Sequence, residues 1–390
     1  MTVVPPEPVP GARSLFDIDF RLTYLNHGAF GAVPLPVRRT RRLLNDRMET
    51  DPVEYFRQRV DLTVAARHEV AEFLRLPAGR TAFVRNATTA AALALHAVDL
   101  REGDEVITTD HGYGAVGFNV DEVARRTGAV HRVVALPTTP DDDRVVAAIT
   151  AAVTDRTRLV IVDQITSATA RLFPIARLAA ALADHPTALF VDGAHAPGHL
   201  ELDVDIPGID FWVGNLHKWL FAPRGTALLT VAEPWVGRTR PFVESWDRDS
   251  GFPVSVESNG TDDFTGWLAA PAGVAVMRDL GPERVRRHNA ALVRYGQTVI
   301  AEALGVAVAD PGPGPLAMRL VPLPDGHGTD QESARRIGTA IRDRLDTVVA
   351  VNSFHGRGMM RIAAQVYNTP EDYRHLADRL PGLLADLARA

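Results

Sequence analysis

From residue 81 onward, short apolar runs alternate with alanine-rich helical stretches. The apolar runs are TAFVRN, EVITTD, VHRVVAL, RLVIVDQ, TALFVD, DFWVGN and TALLTV. The helical stretches between them cover about residues 87–98, 114–127, 143–153 and 174–184. Such alternation is typical of βα units, in which helices cover both faces of apolar strands. The pattern therefore predicts an α/β fold with a mostly parallel sheet built from these seven runs.

The two ends of the chain follow other patterns. The glycine-punctuated loop YLNHGAFGAVP, at residues 24–34, precedes helical patterns at about 35–49 and 63–75. From about residue 267, long helical patterns near 267–304, 330–345 and 370–388 accompany short strands around 317–321 and 359–363. We expect an N-terminal arm (1–23) that packs on the small domain, a large domain (24–266) and a smaller C-terminal α+β domain (267–390).

Composition excludes several classes of function. The net charge is −6 and no basic stripe is present, so no nucleic-acid partner is expected. No apolar run is long enough to span a bilayer, and the opening MTVVPPEPVPGARS is too rich in proline for a signal peptide, so we expect a cytoplasmic protein without a membrane partner. Cysteine is absent, which removes disulfides and thiolate chemistry.

His195 and His199 have the spacing of a helical zinc pair, but the intervening Ala-Pro-Gly cannot hold a helix. No metal site is therefore expected.

Polar residues follow the predicted strands, at the edge where such sheets bind ligands. After TAFVRN come Thr88 and Thr89 at the start of a helical run, where hydroxyl and backbone N–H groups can bind an anion. The same threonines are also consistent with an ordinary helix cap. The run TALFVD ends in Asp192, a carboxylate that is costly to bury unless it meets a cation or donor. A cap on a neighbouring loop is the alternative role for Asp192.

The next apolar run ends in Asn215, His217 and Lys218. A lysine at a strand end is usually a surface residue whose stem covers apolar neighbours. In a desolvated pocket, however, the neutral amine is favoured, as Schiff-base chemistry with a carbonyl compound requires. An anion site, a buried carboxylate and a buried lysine together match pyridoxal 5′-phosphate, which needs a phosphate anchor, a partner for its pyridine nitrogen and an amine.

The chain also resembles a known family. The motifs that carry the resemblance are YLNHGAFGAVP, RNATTA, TTDHGYGA, DQITSATARLFPI, VDGAHAPG, GNLHKW, ESNGTDDFTGWLAAPAG and RIAAQVYNT, and they span residues 24–369. They resemble the fold-type I pyridoxal-phosphate enzymes of the class V aminotransferase group, most closely its isopenicillin N epimerase-like branch. The resemblance implies the fold-type I transferase fold, with Lys218 as the Schiff-base lysine.

The resemblance implies further roles around the cofactor. Asp192 would pair with the pyridine nitrogen, His195 would lie beside the phenolic oxygen and Tyr113 would stack on the ring; with Lys218 these are the expected catalytic residues. A core tyrosine is the alternative for Tyr113.

The resemblance also implies a set of phosphate ligands: Thr88, Thr89, Asn215 and His217. Gly260 and Thr261 of the neighbouring subunit would join them, so that a homodimer shares its active sites. Ser167 would lie near the ring or the substrate, or else is a turn serine.

Three further residues are assigned to the substrate. Arg361, flanked by Met360 and Ile362, resembles the family's clamp on the α-carboxylate of an amino-acid substrate, for which a planar guanidinium is suited. Asn26 and His27 are expected to line the substrate entrance, or else serve only the loop structure.

The expected reaction begins at the Cα of the substrate. Desulfurases that use a mobile cysteine are excluded in this interpretation, because the chain has none. If the carboxylate is held in the ring plane, the Cα–H bond can stand perpendicular to it, and Lys218 can take the proton. Tyr113 or His27 could be a second base on the opposite face. We therefore predict epimerisation or C–S β-elimination; an aminotransferase or a decarboxylating or deaminating enzyme is the alternative, and a cofactor-binding scaffold or regulator is the non-enzymatic one.

Overall fold

A computed structural model describes residues 3–204, 206–308 and 316–389 of the chain. Within these residues, the helices α1 to α14 are Leu35–Thr50, Pro52–Leu74, Ala87–Val98, Gly114–Thr127, Asp142–Ala152, Ile175–Leu182, Leu216–Trp219, Glu233–Val236, Val254–Glu257, Thr265–Leu268, Ala270–Leu280, Pro282–Leu304, Gln331–Leu345 and Pro370–Arg389. The strands β1 to β12 are Thr23–Tyr24, Thr81–Val84, Glu105–Thr109, Val130–Val134, Thr157–Asp163, Ala188–Asp192, Phe211–Asn215, Ala227–Val231, Met318–Pro322, Thr347–Val348, Ala350–Phe354 and Arg357–Ala363.

The main sheet has seven strands in the order β2-β8-β7-β6-β5-β3-β4. The neighbours from β7 to β4 are parallel, and β8 is antiparallel to both β7 and β2. Val84 and Asn215 both pair with Ala227, so β2 runs in the same direction as β7 and ends at the same edge. The carboxyl ends of all strands except β8 therefore meet at one edge of the sheet. The predicted α/β fold with a mostly parallel seven-stranded sheet is confirmed.

The core of this sheet follows from the side chains that cover it. Every side chain of β2, β3, β6, β7 and β8 is buried, as expected of strands with helices on both faces. On α3, the alanines Ala90, Ala91 and Ala94 are fully buried within this core. Because alanine has a small side chain, α3 can approach the sheet closely. Because α3 begins just after β2 ends, its first turn lies at the carboxyl edge of the sheet.

A second, smaller sheet has the antiparallel order β11-β12-β9, and its residues belong to another core with residues of α12, α13 and α14. This core includes Leu292, Ile300, Met360, Tyr373 and Leu380, none of which is exposed. The short strands β1 and β10 pair in parallel through Thr23–Thr347 and Tyr24–Val348. The N-terminal segment is thereby joined to the C-terminal part of the chain.

Contacts divide the chain into two compact units. The first unit comprises Met1–Ala32, Ala168–Leu172 and Met277–Ala390, and the second comprises Val33–Ser167 and Phe173–Val276. The arm and the two domains expected from the sequence, with boundaries after residues 23 and 266, stay a prediction. No helix among the described residues is long and apolar enough to cross a bilayer.

Candidate active site

The carboxyl edge of the main sheet carries the predicted lysine and carboxylate. Asp192 is the last residue of β6 and Asn215 the last residue of β7, and α7 follows Asn215 directly with His217 and Lys218 in its single turn. Strand β7 pairs with β6 on one side and with β8 on the other, so the end of β7 is fixed in the middle of the sheet. Folding thus brings these side chains to one edge, as the sequence predicts.

A chain of hydrogen bonds connects Lys218 to a buried tryptophan. Lys218 Nζ lies 3.1 Å from His195 Nε2, and Trp219 Nε1 donates to His195 Nδ1 at 3.2 Å. An indole N–H can only donate, so Nδ1 of His195 is the acceptor and a neutral ring carries its proton at Nε2. The proton of His195 therefore faces the amine of Lys218. Trp219 has no counterpart among the residues singled out in the sequence.

The segment between Asp192 and His199 packs tightly on the strand and helix that carry the lysine. A Cβ on Gly193 would lie 2.6 Å from Trp212 Nε1, and a Cβ on Gly198 would lie 2.4 Å from the backbone oxygen of Trp219. Gly198 also has a φ of +77°, which disfavours other residues. These two glycines allow the close approach that places His195 beside Lys218.

Lys218 is the only lysine of the 390-residue chain; the other 41 of the 42 Lys and Arg residues are arginine. An arginine side chain carries the same charge but does not serve as an amine nucleophile, since its guanidinium stays protonated. The one lysine side chain that can supply an amine therefore lies at the carboxyl edge of the main sheet. This signal is visible in the sequence, and the motif-based prediction did not use it.

Asp192 is 2% exposed, and its Oδ1 accepts a hydrogen bond from the Ala194 N–H at 2.9 Å. Burial raises the pKa of Asp192, while the Ala194 N–H and the charge of Lys218 act in the opposite direction. The second oxygen of the carboxylate is left for a partner such as a protonated ring nitrogen.

A second carboxylate, Asp163, ends the adjacent strand β5 and pairs in register with Asp192. Sequence reasoning missed Asp163, although it ends an apolar run just as Asp192 does.

The predicted phosphate residues lie around the first turn of α3. Asn86 caps the helix by accepting from the Thr89 N–H at 2.9 Å, and Asn215 Oδ1 accepts from the Ala87 N–H at 3.0 Å. Asn215 therefore ties the end of β7 to the start of α3. Thr88 and Thr89 follow in the same turn and are half-buried.

His217 lies next to this turn along the sheet edge. Its Nδ1 is 2.9 Å from the backbone oxygen of Thr226, which can only accept, so Nδ1 carries a proton. Burial, together with the nearby charges of Lys218 and Arg224, lowers the pKa of His217 to about 4, although the Thr226 hydrogen bond acts in the opposite direction. His217 is consequently neutral at pH 7, with Nε2 unprotonated.

Tyr113 and Ser167 are the two residues predicted to lie near the cofactor ring. Tyr113 precedes α4 and is 46% exposed, so its ring is available to stack on a ligand rather than buried in the core. Ser167 is half-buried in the segment that follows β5. The roles assigned to both stay predictions.

Gly260 and Thr261 lie in an exposed loop between α9 and α10. Ion pairs from Asp262 to Arg85 and from Asp263 to Arg41 hold this loop against α1 and the start of α3. Thr261 and Thr89 line the same cavity of about 410 Å³. Their assignment to the phosphate of a neighbouring subunit stays a prediction.

The three residues predicted for the substrate lie in the first unit. Arg361 is in the central strand of the small sheet, is 5% exposed, and donates from Nη2 to Asn26 Oδ1 at 3.1 Å. His27 is completely buried; its Nδ1 lies 2.9 Å from Tyr367 Oη and its Nε2 lies 3.2 Å from Gln365 Nε2. The structure therefore pairs Asn26 with Arg361 and places His27 in a buried hydrogen-bond network.

The donor set of the second unit fits pyridoxal 5′-phosphate. The first turn of α3, the buried carboxylate of Asp192 and the amine of Lys218 share one edge of one sheet. A helix N-terminus suits the phosphate, a carboxylate suits the ring nitrogen and an amine suits the aldehyde.

Comparisons with known proteins agree with this fit. Residues 54–376 match the family model described as Aminotransferase class-V. Isopenicillin N epimerase of Amycolatopsis lactamdurans is 32% identical, over 95% of this chain and 98% of that protein. L-cysteine desulfhydrase of Arabidopsis thaliana is 27% identical, over 93% of this chain and 88% of that protein. The relatives thus include both an epimerase and a desulfhydrase.

Solved structures share the fold. A lysine variant of the enzyme C-DES, with glycine covalently linked to its PLP cofactor, matches with a TM-score of 0.77 and 19% identity, over 92% of this chain and 96% of that chain. The cysteine desulfurase CsdA of Escherichia coli matches with a TM-score of 0.77 and 20% identity, over 96% of this chain and 97% of that chain. The comparisons do not support the predicted exclusion of desulfurases, because a desulfurase has the same fold; the exclusion rests on the missing cysteine alone.

Proposed function

Because the chain belongs to the class V aminotransferase family and its cofactor is pyridoxal 5′-phosphate, we propose that it removes the Cα proton of an amino-acid substrate, ending in epimerisation or C–S β-elimination. The observation that carries the proposal is the single lysine of the chain, held 3.1 Å from His195 Nε2 at the carboxyl edge of the sheet. An amine in this position can both bind an aldehyde and carry a proton.

When bound, pyridoxal phosphate supplies an aldehyde for the substrate amine and a ring that stabilises negative charge at Cα. Lys218 Nζ, as a free amine, accepts the proton from Cα. His195 Nε2–H faces this amine, so it orients the Nζ lone pair and can exchange a proton with it. Asp192 offers the oxygen not bonded to Ala194 to the ring nitrogen and keeps that nitrogen protonated.

The two end points differ in the groups that they require. Epimerisation needs a proton donor on the face opposite Lys218, whereas β-elimination needs only a leaving group on the substrate. Of the two candidates for a second base, Tyr113 is 46% exposed and His27 is fully buried, which favours Tyr113. The relatives support both outcomes, since one is an isopenicillin N epimerase and another an L-cysteine desulfhydrase.

Arg361 is the proposed ligand of the substrate α-carboxylate. Its guanidinium is held by Asn26 Oδ1, which orients it without neutralising its charge. Arg361→Lys should raise KM for the amino acid more than it lowers the affinity for pyridoxal phosphate, because a lysine cannot form the bidentate contact. Equal losses in both would assign Arg361 to the fold instead.

The reaction is tested by incubating the holoenzyme with L-cysteine, L-cystine and L-alanine in deuterated water. Deuterium at Cα of recovered substrate supports the proposal. Appearance of the D-enantiomer identifies epimerisation, whereas sulfide with a keto acid identifies β-elimination. Release of carbon dioxide with the Cα proton retained would contradict proton removal, and cofactor binding without exchange on a wide amino-acid panel would favour a scaffold.

The unique lysine provides a matched control. Lys218→Arg keeps the charge but removes the amine, so it should abolish exchange and leave no lysine side chain on which borohydride can fix the cofactor. In the wild-type chain, mass spectrometry should find the reduced adduct on Lys218. An adduct confined to the amino-terminal amine would refute the assignment.

A further inference from the structure

Asp163 is a second buried carboxylate at the cofactor edge. It ends β5, is 5% exposed and pairs in register with Asp192, the end of β6. Residues paired in register on parallel neighbours lie about 4.8 Å apart and direct their side chains to the same face. The two carboxyl groups therefore lie side by side, both removed from water.

Two adjacent buried carboxylates cannot both ionise without a large cost, because each is desolvated and repels the other. Besides burial, three interactions affect the pKa of Asp163: those with the charge of Asp192, with the charge of Lys218 and with the backbone N–H of Tyr113, which donates a hydrogen bond. Burial, followed by the charge of Asp192, raises the pKa of Asp163 well above its usual range, while Lys218 and the Tyr113 N–H act against this shift. The pKa of Asp192 is raised as well. A single amine thus faces two acids whose pKa values are both raised.

Asp163 also contacts the segment that carries the predicted stacking ring. Its carboxyl group accepts from the backbone N–H of Tyr113. A Cβ on Gly112 would lie 3.6 Å from Asp163 Oδ2 and 3.0 Å from the backbone oxygen of Thr109, so this segment rests closely on the carboxyl group. Asp163 consequently links β5 to the backbone of Tyr113.

We propose that Asp163 is a positioning residue of the cofactor site: it remains protonated beside an ionised Asp192 and anchors the Tyr113 segment. This proposal rests on the proposed function insofar as Asp192 is the partner of the ring nitrogen. With Asp163 neutral, the pair presents one negative charge, which matches the single positive charge of a protonated ring. An ionised Asp163 would add a second negative charge that the ring nitrogen does not balance.

The first test uses the cofactor-free protein and requires no activity. A raised folded-state pKa means that Asp163 contributes stability below its unfolded pKa of 3.8, and that this stability is lost as pH rises through the folded value. Asp163→Asn copies the neutral acid, keeps an acceptor for the Tyr113 N–H and cannot ionise. Its melting temperature should therefore rise relative to wild type as pH increases from 5 to 9. Asp163→Ala loses the acceptor and should melt below Asp163→Asn at every pH.

The second test asks which carboxylate serves the ring. Pyridoxal phosphate labelled with nitrogen-15 at the ring should give the protonated chemical shift in wild type and in Asp163→Asn, and the unprotonated shift in Asp192→Asn. A lysine-specific carbon-13 label gives one side-chain signal, since the chain has one lysine; in the cofactor-free protein, its titration midpoint should move less in Asp163→Asn than in Asp192→Asn.

The outcomes separate this proposal from the proposed function. A pH dependence of melting that is identical in wild type and Asp163→Asn would show that Asp163 is ionised and would overturn the proposal, whatever the enzyme catalyses. Loss of the protonated ring signal in Asp163→Asn would overturn it in another way, by making Asp163 the ring partner. If both Asp163 tests succeed but no amino acid exchanges its Cα proton, only the proposed reaction fails.

Discussion

Trp219 determines which nitrogen of His195 carries the proton. It therefore decides whether the amine of Lys218 faces an N–H donor or an unprotonated ring nitrogen. The indole N–H occupies His195 Nδ1 at 3.2 Å, which leaves the proton at Nε2, 3.1 Å from the amine. Trp219→Phe keeps most of the buried volume but removes the donor, so the ring can adopt the other tautomer. We expect kcat to fall about 10-fold or more, with a much smaller change in cofactor affinity.

The matched control is Trp235→Phe. Trp235 Nε1 also donates to a side chain, Asp210 Oδ1 at 2.7 Å, but Asp210 precedes β7 at the opposite edge of the sheet. Steady-state kinetics and cofactor titration of both variants give the comparison. A similar fall of kcat in both variants would mean that Trp219 acts only through the stability of the fold.

His217 should take up a proton when the cofactor binds. Its Nδ1–H is used by the Thr226 oxygen, so only Nε2 is left for a phosphate, and a pKa of about 4 leaves Nε2 unprotonated at pH 7. A dianionic phosphate at Nε2 would raise this pKa and draw in a proton. Because binding takes up a proton, affinity should weaken as pH rises above neutrality, and His217→Asn should show a flatter dependence.

Calorimetry in two buffers of different ionisation enthalpy measures this uptake directly. Wild type should take up close to one proton more than His217→Asn per cofactor bound at pH 7. The same comparison removes the contribution of the phosphate's own titration, since the ligand is identical. Equal uptake in the two proteins would place the proton on another group.

At the scale of elements, helix α3 connects stability to cofactor binding. Its cap Asn86 accepts from the Thr89 N–H, and the turn that it fixes carries the predicted phosphate ligands. Asn86→Ala should lower the free energy of unfolding by about 1 kcal/mol. It should also weaken cofactor binding several-fold, because the N–H groups of the first turn would no longer be held in place.

Asp330 provides the control for this prediction. It caps α13 in the first unit with a reciprocal capping box that involves Ser333. Asp330→Ala should cost a similar free energy of unfolding, about 1 kcal/mol, without changing cofactor affinity. Chemical denaturation and cofactor titration measure the two quantities separately. If Asp330→Ala weakens cofactor binding as much as Asn86→Ala, the effect comes from general destabilisation.

The sequence predicts the elements of the main sheet well, because the two signals that mark a strand, an apolar run and a polar residue at its end, lie next to each other in the sequence. Apolar runs mark the strands, and strand ends are marked by polar residues such as Asp192 and Asn215. The start of α2 at Pro52 was missed, since the predicted helix begins at about residue 63. Asp51 and Pro52 were the available signal, a cap followed by proline at the first helical position.

Other features depend on contacts that no local pattern contains. The pair β1–β10 joins Thr23 to Thr347, and such short strands exist only through this long-range pairing. The division of the predicted helix at 267–304 is an exception, because the Gly281-Pro282 pair where it occurs is a local break signal that the prediction passed over. The neighbour relation of Asp163 and Asp192 likewise needs the strand order, which places β5 beside β6.

At the scale of the whole molecule, the exposed surface of the second unit favours a partner. Trp246 is 97% exposed, and Phe242 and Val243 are each 54% exposed, in the segment between α8 and α9. Exposed apolar residues that cluster in one segment are typical of an interaction surface. The predicted homodimer, with Thr261 of each subunit at the phosphate of the other, would give this segment a partner of the same chain.

Shared active sites can be tested by mixing two inactive variants. Lys218→Ala lacks the amine but can lend a normal Thr261 to its partner, whereas Thr261→Glu keeps Lys218 but places a negative charge at the phosphate of its partner. In a mixed dimer, the site containing Lys218 receives the normal Thr261. Random exchange makes about half of the dimers mixed, each with one intact site of two, so activity should return to about a quarter of wild type. If Thr261 serves its own subunit, the mixed dimer has no intact site, and mixing the two variants restores nothing.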